Sequence, residues 1–111
     1  MSPEAWDFGR GLSGYAWRTP GARANVLLTH GFAEYAERYV KHYHQLVPKL
    51  NALGFDVYGW DMRGHGRSAG ARGVADLNGA LADHRAARRV LVGKPLFLFG
   101  HSLGGLVTAA S

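Results

Sequence analysis

The sequence contains no cysteine, so disulfide bonds, thiolate metal sites and cysteine nucleophiles are all excluded. It has no apolar run of membrane-spanning length, and residues 1–15 lack the basic and apolar regions of a signal peptide. We therefore expect a soluble, cytoplasmic protein. A hydrophobic content of 47% with 19% charged residues is typical of a globular domain, and 111 residues fit one small domain.

The net charge of +5 raises the question of a nucleic-acid partner. The arginines are scattered, however, and the tight group Arg85, Arg88 and Arg89 falls on a predicted helix, where a solvated face is the simpler interpretation. Most aromatic residues lie in apolar patterns instead of alternating with basic residues, as a nucleic-acid site requires. We expect no nucleic-acid partner; the charge is compatible with contact with anionic lipid surfaces. The sequence leaves the oligomeric state open.

Short apolar runs alternate with segments of helical spacing. The predicted strands cover residues 13–18, 24–29, 55–60 and 96–99. Helical spacing covers residues 35–53 and 74–92. Within the first of these, we expect a turn or short helix, then a second helix that has Pro48 in its opening turn or at a kink and that Gly54 ends. This alternation predicts an α/β protein whose parallel sheet is covered by helices. The loops at the carboxyl ends of the strands then meet at one edge, where ligands usually bind.

The most informative stretch runs from Leu96 to Gly105. Ser102 lies between Gly100 and Gly104, which gives the pattern G-x-S-x-G at the end of a strand-length apolar run. In a nucleophile elbow, a sharp turn exposes the serine, and the flanking positions lack a Cβ because neighbouring backbone passes close by. The apolar and small residues from Leu103 to Ala110 predict a buried helix. Taken alone, the stretch also fits an ordinary glycine-rich turn.

A second loop fits the same chemistry. An acyl-transfer serine needs two N–H groups directed at the oxyanion that develops on the substrate. Leu103, directly after the serine, supplies one of them. The loop His30-Gly31-Phe32 follows the second predicted strand, and Gly31 allows its backbone to turn towards the site. We therefore assign the second donor to the N–H of Phe32.

Three motifs occur in order along the chain. They are H-G-x-x-E with R-Y shortly after it (residues 30–39), D-x-x-G-H-G-x-S (residues 61–68) and G-H-S-x-G-G (residues 100–105). In this order and at these distances they resemble the α/β-hydrolase superfamily, and within it the monoacylglycerol lipase and lysophospholipase branch. The resemblance covers nearly the whole chain and is weakest before Ser13.

The resemblance implies an α/β-hydrolase fold with a mostly parallel sheet, and a serine hydrolase of carboxylic esters that needs no metal or organic cofactor. By it, Ser102 is the nucleophile, the amides of Phe32 and Leu103 form the oxyanion hole, and the substrate is a small ester or lipid. A neighbouring loop would be shaped, without a part in the chemistry, by Asp61, Arg63, Gly64, His65 and Gly66. We interpret His101 as a packing residue and Glu34 as a brace for its loop, a catalytic acid being its less favoured role.

Other interpretations stay open. The chain fits another serine-triad member of the fold, such as a peptidase, an acyltransferase or a cofactor-free haloperoxidase. It also fits a non-catalytic binding protein that keeps the fold. The pair Asp83-His84 and the residues His42 and His44 fall on predicted helices, where surface or core positions are better interpretations than a metal site or a triad.

The pattern breaks after the serine. In this superfamily the catalytic acid and histidine follow the nucleophile, but the nine residues after Ser102 include neither, and all six histidines precede it. We therefore expect residues 1–111 to form the amino-terminal part of a single hydrolase domain. Its remaining strands, its cap and its catalytic acid and histidine would lie beyond residue 111. On its own, this part is expected to be essentially inactive.

Overall fold

The computed structural model describes residues 2–72 and 76–111. The strands are Glu4–Ala5 (β1), Gly14–Trp17 (β2), Ala24–Thr29 (β3), Phe55–Trp60 (β4) and Leu96–Gly100 (β5). The helices are Arg38–Lys41 (α1), Leu46–Ala52 (α2), Leu77–Val90 (α3) and Leu103–Ala110 (α4), and a short helical turn, Tyr43–Gln45, joins α1 to α2. All four predicted strands are present, and Pro48 lies in the first turn of α2, where its missing N–H is tolerated. The predicted start of the third helix, at Val74, lies outside the described residues.

The sheet is mixed, with strand order β1-β2-β4-β3-β5. The central strand β3 runs parallel to both of its neighbours, β4 and β5, and Thr29 aligns with Trp60 on one side and Gly100 on the other. These three strands therefore end at the same level, and the loops that follow them share one edge, as predicted. The strands β1 and β2 add an antiparallel margin next to β4.

Helices cover both faces of the sheet. On one face, Leu27 and Trp60 pack with Ala87 of α3 and Val107 of α4. On the other face, Leu28 and Val57 pack with residues of α1 and α2. Period-two alternation along β3 and β4 sends successive side chains to opposite faces, so each strand contributes to both cores. No helix within the described ranges is both long and apolar enough to cross a membrane.

The segment before Ser13 belongs to the core, which the sequence did not indicate. Trp6, Phe8 and Leu12 are all buried, and the Trp6 ring lies 4.9 Å from that of Phe8 and 5.1 Å from that of Tyr58. The Trp6 amide donates to the carbonyl of Gly14 at 2.9 Å. A two-residue strand is too short to produce an alternating pattern, so the aromatic residues were the only sign in the sequence that this segment is buried.

The prediction that α4 is a buried helix is wrong in part. Gly104 and Val107 are buried, but Leu106 is 53% exposed. On the neighbouring strand, Phe97 is 56% and Leu98 40% exposed. We call Phe97, Leu98 and Leu106 the β5–α4 edge. These three apolar side chains are only partly covered by the described residues; the Phe97 ring, for example, lies 5.9 Å from that of Phe55.

Candidate active site

Ser102 occupies a sharp turn between β5 and α4. Its backbone angles, φ 57° and ψ −120°, are rare for a residue other than glycine. Such angles persist only where the surrounding structure holds them, and they cluster at functional sites. The serine is exposed, and no hydrogen-bond partner of its hydroxyl occurs among residues 2–72 and 76–111. The predicted strand–turn–helix context of the motif is therefore present.

Close backbone packing explains the two flanking glycines. A Cβ on Gly104 would overlap the carbonyl oxygens of Thr29 and His30, and a Cβ on Gly100 would lie 2.6 Å from the Thr108 hydroxyl oxygen. At Gly105, in contrast, the nearest atom to a Cβ would be the Gly100 carbonyl oxygen at 3.4 Å, an ordinary contact. The motif glycines are thus sterically required, whereas Gly105 is not.

The His30-Gly31-Phe32 loop packs directly against this turn. A Cβ built on Gly31 would lie 3.2 Å from the Cβ of Ser102 and 3.1 Å from the carbonyl oxygen of His101. The His101 amide donates to the carbonyl of Thr29, the last residue of β3, at 3.1 Å. The structure therefore brings together the two segments from which the sequence analysis selected its oxyanion donors.

His30 fixes the orientation of that loop. Its ring is fully buried, with Nδ1 2.6 Å from the carbonyl oxygen of Gly31 and Nε2 2.9 Å from the amide nitrogen of Met62. Because the Met62 amide must donate, Nε2 accepts, and Nδ1 carries the proton that is donated to Gly31. The Gly31 carbonyl and the Phe32 N–H belong to one trans peptide, so this bond also sets the direction of the Phe32 N–H. Burial lowers the pKa of His30 and keeps the ring neutral.

The two predicted donor amides are both available. Phe32 lies in the loop after β3, and Leu103 is the first residue of α4, where the amides of a helix lack partners within the helix. Within the part of the chain that the structure describes, neither amide donates to a protein acceptor. The first turn of α4 also carries the positive end of the helix dipole, which favours an anion.

The loop after β4 is organised by a buried carboxylate. Asp61 accepts hydrogen bonds from the Tyr15 hydroxyl at 2.6 Å, the Ala36 amide at 2.8 Å and the Arg67 amide at 3.0 Å. Burial, together with the bond to Asp61, raises the pKa of Tyr15. A Cβ on Gly66 would collide with the Asp61 carboxylate. These contacts tie the loop to its neighbours, which is the shaping role that the resemblance implies.

Glu34 and His101 both have partners. The carboxylate of Glu34 accepts from the Tyr43 hydroxyl and pairs with the Arg38 guanidinium at 3.2 Å. The Nδ1 of His101 lies 3.1 Å from the Tyr39 hydroxyl oxygen, and its ring lies 4.9 Å from that of Tyr43. Burial raises the pKa of Tyr39 to about 12, so its hydroxyl stays protonated at neutral pH. These contacts agree with a bracing role for Glu34 and a packing role for His101.

Tyr43 is the residue of this cluster that sequence reasoning missed. Its spacing from Tyr39 and Val47 suggested one more apolar position on a helix. The structure places it in the turn between α1 and α2. The pattern contains no glycine or asparagine that would have predicted that turn.

The remaining candidate histidines lie away from the serine turn. Asp83 and His84 are buried in α3, where Asp83 pairs with Arg10 at 2.8 Å and with Arg63 at 3.0 Å. His42 follows the last residue of α1 and His44 lies in the short helical turn Tyr43–Gln45; both are exposed, in agreement with the surface interpretation. The described ranges contain no group of three or more histidine, aspartate or glutamate residues suited to a metal ion.

Comparison with known proteins identifies the family to which this chain belongs. A family model described as "Serine aminopeptidase, S33" matches residues 20–111, which include all three motifs. The chain belongs to this family of α/β-hydrolases. The predicted α/β-hydrolase fold is thereby confirmed, and the relatives described next confirm the resemblance to the lipase branch.

The relatives include several lipases. The monoacylglycerol lipase of Mycolicibacterium smegmatis is 38% identical over 93 residues, which cover 79% of this chain and 32% of the relative. The crystal structure of the Paleococcus ferrophilus monoacylglycerol lipase superposes with a TM-score of 0.74 at 43% identity, covering 86% of this chain and 35% of that one. A soluble variant of the Saccharomyces cerevisiae monoglyceride lipase gives a TM-score of 0.77 at 28% identity, covering 95% and 38%. The chain thus spans about a third of the length of the relatives it matches.

Proposed function

We propose that the protein carrying this chain is a serine hydrolase of carboxylic esters that acts on monoacylglycerols or lysophospholipids. The observation that carries the proposal is the position of Ser102, exposed on a strained turn at the start of α4 and in contact with the Gly31 loop. The names of the related lipases support monoacylglycerols as the substrate.

In the proposed reaction, the Ser102 oxygen attacks the ester carbonyl carbon while a general base takes its proton. The carbonyl oxygen becomes an oxyanion, which accepts hydrogen bonds from the amides of Phe32 and Leu103. The ester C–O bond then breaks, and the alcohol leaves with the proton. Water hydrolyses the acyl-enzyme and regenerates the serine. His30 contributes by holding the Gly31–Phe32 peptide, and the scheme requires no cofactor.

We propose that the general base is none of the described histidines. The ring nitrogen Nδ1 of the adjacent His101 is engaged by Tyr39, and both nitrogens of His30 are occupied. We propose that residues 1–111 are the amino-terminal part of one hydrolase domain, because the relatives are about two and a half times as long. The acid and the base would then come from residues beyond 111. Without a base, turnover by these residues alone is expected to be about a millionfold below that of a complete triad.

A peptidase is the second candidate, and the description of the matching family favours it. Both reactions use the same serine and the same oxyanion donors, and they differ in the bond that breaks. A non-catalytic binding protein of the same fold would keep the turn but show no turnover. Substrate tests distinguish the three.

The test measures fatty-acid release from a monoacylglycerol and a lysophosphatidylcholine, and aniline release from an aminoacyl anilide, by the complete protein. We expect ester hydrolysis, and a loss of about a millionfold in turnover in Ser102→Ala. The control Ser2→Ala changes an exposed serine near the amino terminus and should leave turnover intact. Release of aniline alone would favour the peptidase, and a folded protein without any turnover would favour the binding protein.

We also propose a cytoplasmic location. Contact with anionic membrane surfaces is proposed separately, because the net charge is +5. Sedimentation with vesicles of phosphatidylserine and phosphatidylcholine should carry down more protein than vesicles of phosphatidylcholine alone. Equal binding to both, or none, would contradict the charge-based part of this proposal.

A further inference from the structure

The turn between α1 and α2 is left-handed. Tyr43, His44 and Gln45 have φ values of 53°, 57° and 55°, and none of them is glycine. Residues with a Cβ avoid this region because the Cβ approaches the following carbonyl oxygen, and runs of several such residues are unusual. Strain of this kind persists only where surrounding contacts hold it, so the contacts of this turn indicate what it is for.

Those contacts come from Tyr43, which makes them although its side chain is 37% exposed; His44 and Gln45 are exposed as well. The Tyr43 ring stacks on the ring of Tyr39 with centroids 4.6 Å apart and planes at 19°. It also lies 4.9 Å from the ring of His101, and its hydroxyl donates to the carboxylate of Glu34. The left-handed turn therefore places one side chain against two different segments.

The two segments are the ones that bracket the proposed oxyanion hole. Glu34 closes the loop that carries Phe32, since the Glu34 amide donates to the Gly31 carbonyl at 3.2 Å. His101 immediately precedes Ser102 in the elbow. Gly31 is where the two segments meet, because a Cβ there would lie 3.2 Å from the Cβ of Ser102. Tyr43 bridges the same two segments from the side of α1.

We propose that Tyr43 is a positioning residue that holds the Gly31–Glu34 loop against the elbow and thereby sets the distance between the Phe32 amide and Ser102. This inference rests on the proposed function. The hydroxyl restrains Glu34, and the ring restrains His101. Arg38 pairs with Glu34 at 3.2 Å and keeps that carboxylate in place from its other oxygen.

A displaced oxyanion donor reduces the stabilisation of the transition state more than that of the bound ester, because the negative charge develops only in the transition state. Loss of the contacts that Tyr43 makes with Glu34 and His101 should therefore lower kcat and leave KM nearly unchanged. A purely structural role would lower the melting temperature without changing kcat per titrated active site. These two readouts separate the positioning role from a structural one.

The experiment uses the complete protein and compares Tyr43→Phe, which keeps the ring, with Tyr43→Leu, which loses both ring and hydroxyl. The matched control is Tyr35→Phe, which removes a hydroxyl from a tyrosine in the segment between β3 and α1 that is 41% exposed. We expect kcat to fall about tenfold in Tyr43→Phe and about a hundredfold in Tyr43→Leu, the scale of a misplaced catalytic group, and to stay within about twofold in the control. KM should stay within about threefold throughout.

Hydrogen exchange gives a readout that does not depend on activity. In Tyr43→Leu, the amides of residues 31–35 should exchange at least about tenfold faster, while those of β3 stay unchanged. Unchanged exchange in this loop, or a kcat within twofold of the parent in folded Tyr43→Leu, would overturn the inference. If the parent itself fails to turn over esters, the proposed function fails, and the exchange result alone decides whether Tyr43 holds the loop.

Discussion

Two edges of the same sheet differ in how they are packed. At the carboxyl ends of β3 and β4, buried polar groups such as His30 and Asp61 have hydrogen bonds to their surroundings, and Gly104 fits where no larger residue can. At the β5–α4 edge, Phe97, Leu98 and Leu106 are apolar and exposed. Ser102 lies where the two edges join. The comparison shows that contacts among the described residues hold Ser102 in position. The same residues only partly cover β5, the strand that leads to it.

The largest change in the free energy of unfolding is expected for Gly104→Ala, which disrupts the packed edge. In Gly104→Ala, the new methyl group would overlap the carbonyl oxygens of Thr29 and His30, which are backbone atoms and cannot rotate away. We expect the free energy of unfolding to fall by at least about 4 kcal/mol, as measured by urea denaturation of the complete protein.

Gly105→Ala is the matched control, because its methyl group would meet only an ordinary contact at 3.4 Å. Replacing a helical glycine by alanine should raise stability by about 0.5–1 kcal/mol. A Gly104→Ala protein as stable as this control would show that the turn is not sterically fixed.

The next effect concerns the core between α3 and α4, just inside the β5–α4 edge. Burial, with a smaller contribution from the charge of Arg88, lowers the pKa of His84 from 6.5 to about 4. As the pH falls, the unfolded chain binds a proton near pH 6.5, but the folded chain does not bind one until about pH 4. The free energy of unfolding should therefore decrease across this window, by about 3 kcal/mol from this residue.

Denaturation series between pH 8 and pH 4 check this prediction. In His84→Gln the decrease should shrink by about 3 kcal/mol. His44→Gln replaces an exposed histidine and should leave the decrease in place. The same pH profile in the two variants would mean that water reaches His84, and this result would contradict its burial in the structure.

The smallest effect is expected at the exposed edge. Phe97 is 56% exposed, so Phe97→Thr should change the free energy of unfolding of residues 1–111 by no more than about 0.5 kcal/mol. Leu27→Ala, at a fully buried position on the adjacent strand, should cost about 3 kcal/mol. Equal losses in the two variants would mean that Phe97 is covered and that the contrast between the edges does not hold.

Sequence reasoning predicted the part of the molecule whose patterns are local. The apolar runs of β3, β4 and β5 and the glycines around Ser102 carry their own information, because strand period and backbone sterics act between near neighbours. The role of Trp6 and Phe8 could not be predicted, since their partners Tyr58 and Trp60 are distant in sequence and β1 is too short to alternate.

The turn at Tyr43 escaped prediction for a different reason. Its left-handed backbone is held by contacts with Glu34 and His101, which are tertiary, and its residues have no intrinsic preference for that conformation. The exposure of Leu106 was missed because apolar composition predicts a buried helix face and cannot tell whether a partner is present. The roles of Ser102, Phe32 and Leu103 stay predictions, which the structure makes specific.

Labelling of the complete protein with a fluorophosphonate tests the central claim most directly, because this reagent phosphonylates only an activated serine. The account predicts one probe per chain on the peptide that contains Ser102, found by mass spectrometry, and no labelling in Ser102→Ala. A folded protein that takes up no probe, or one that labels equally well after Ser102→Ala, would contradict the claim that this serine is the nucleophile.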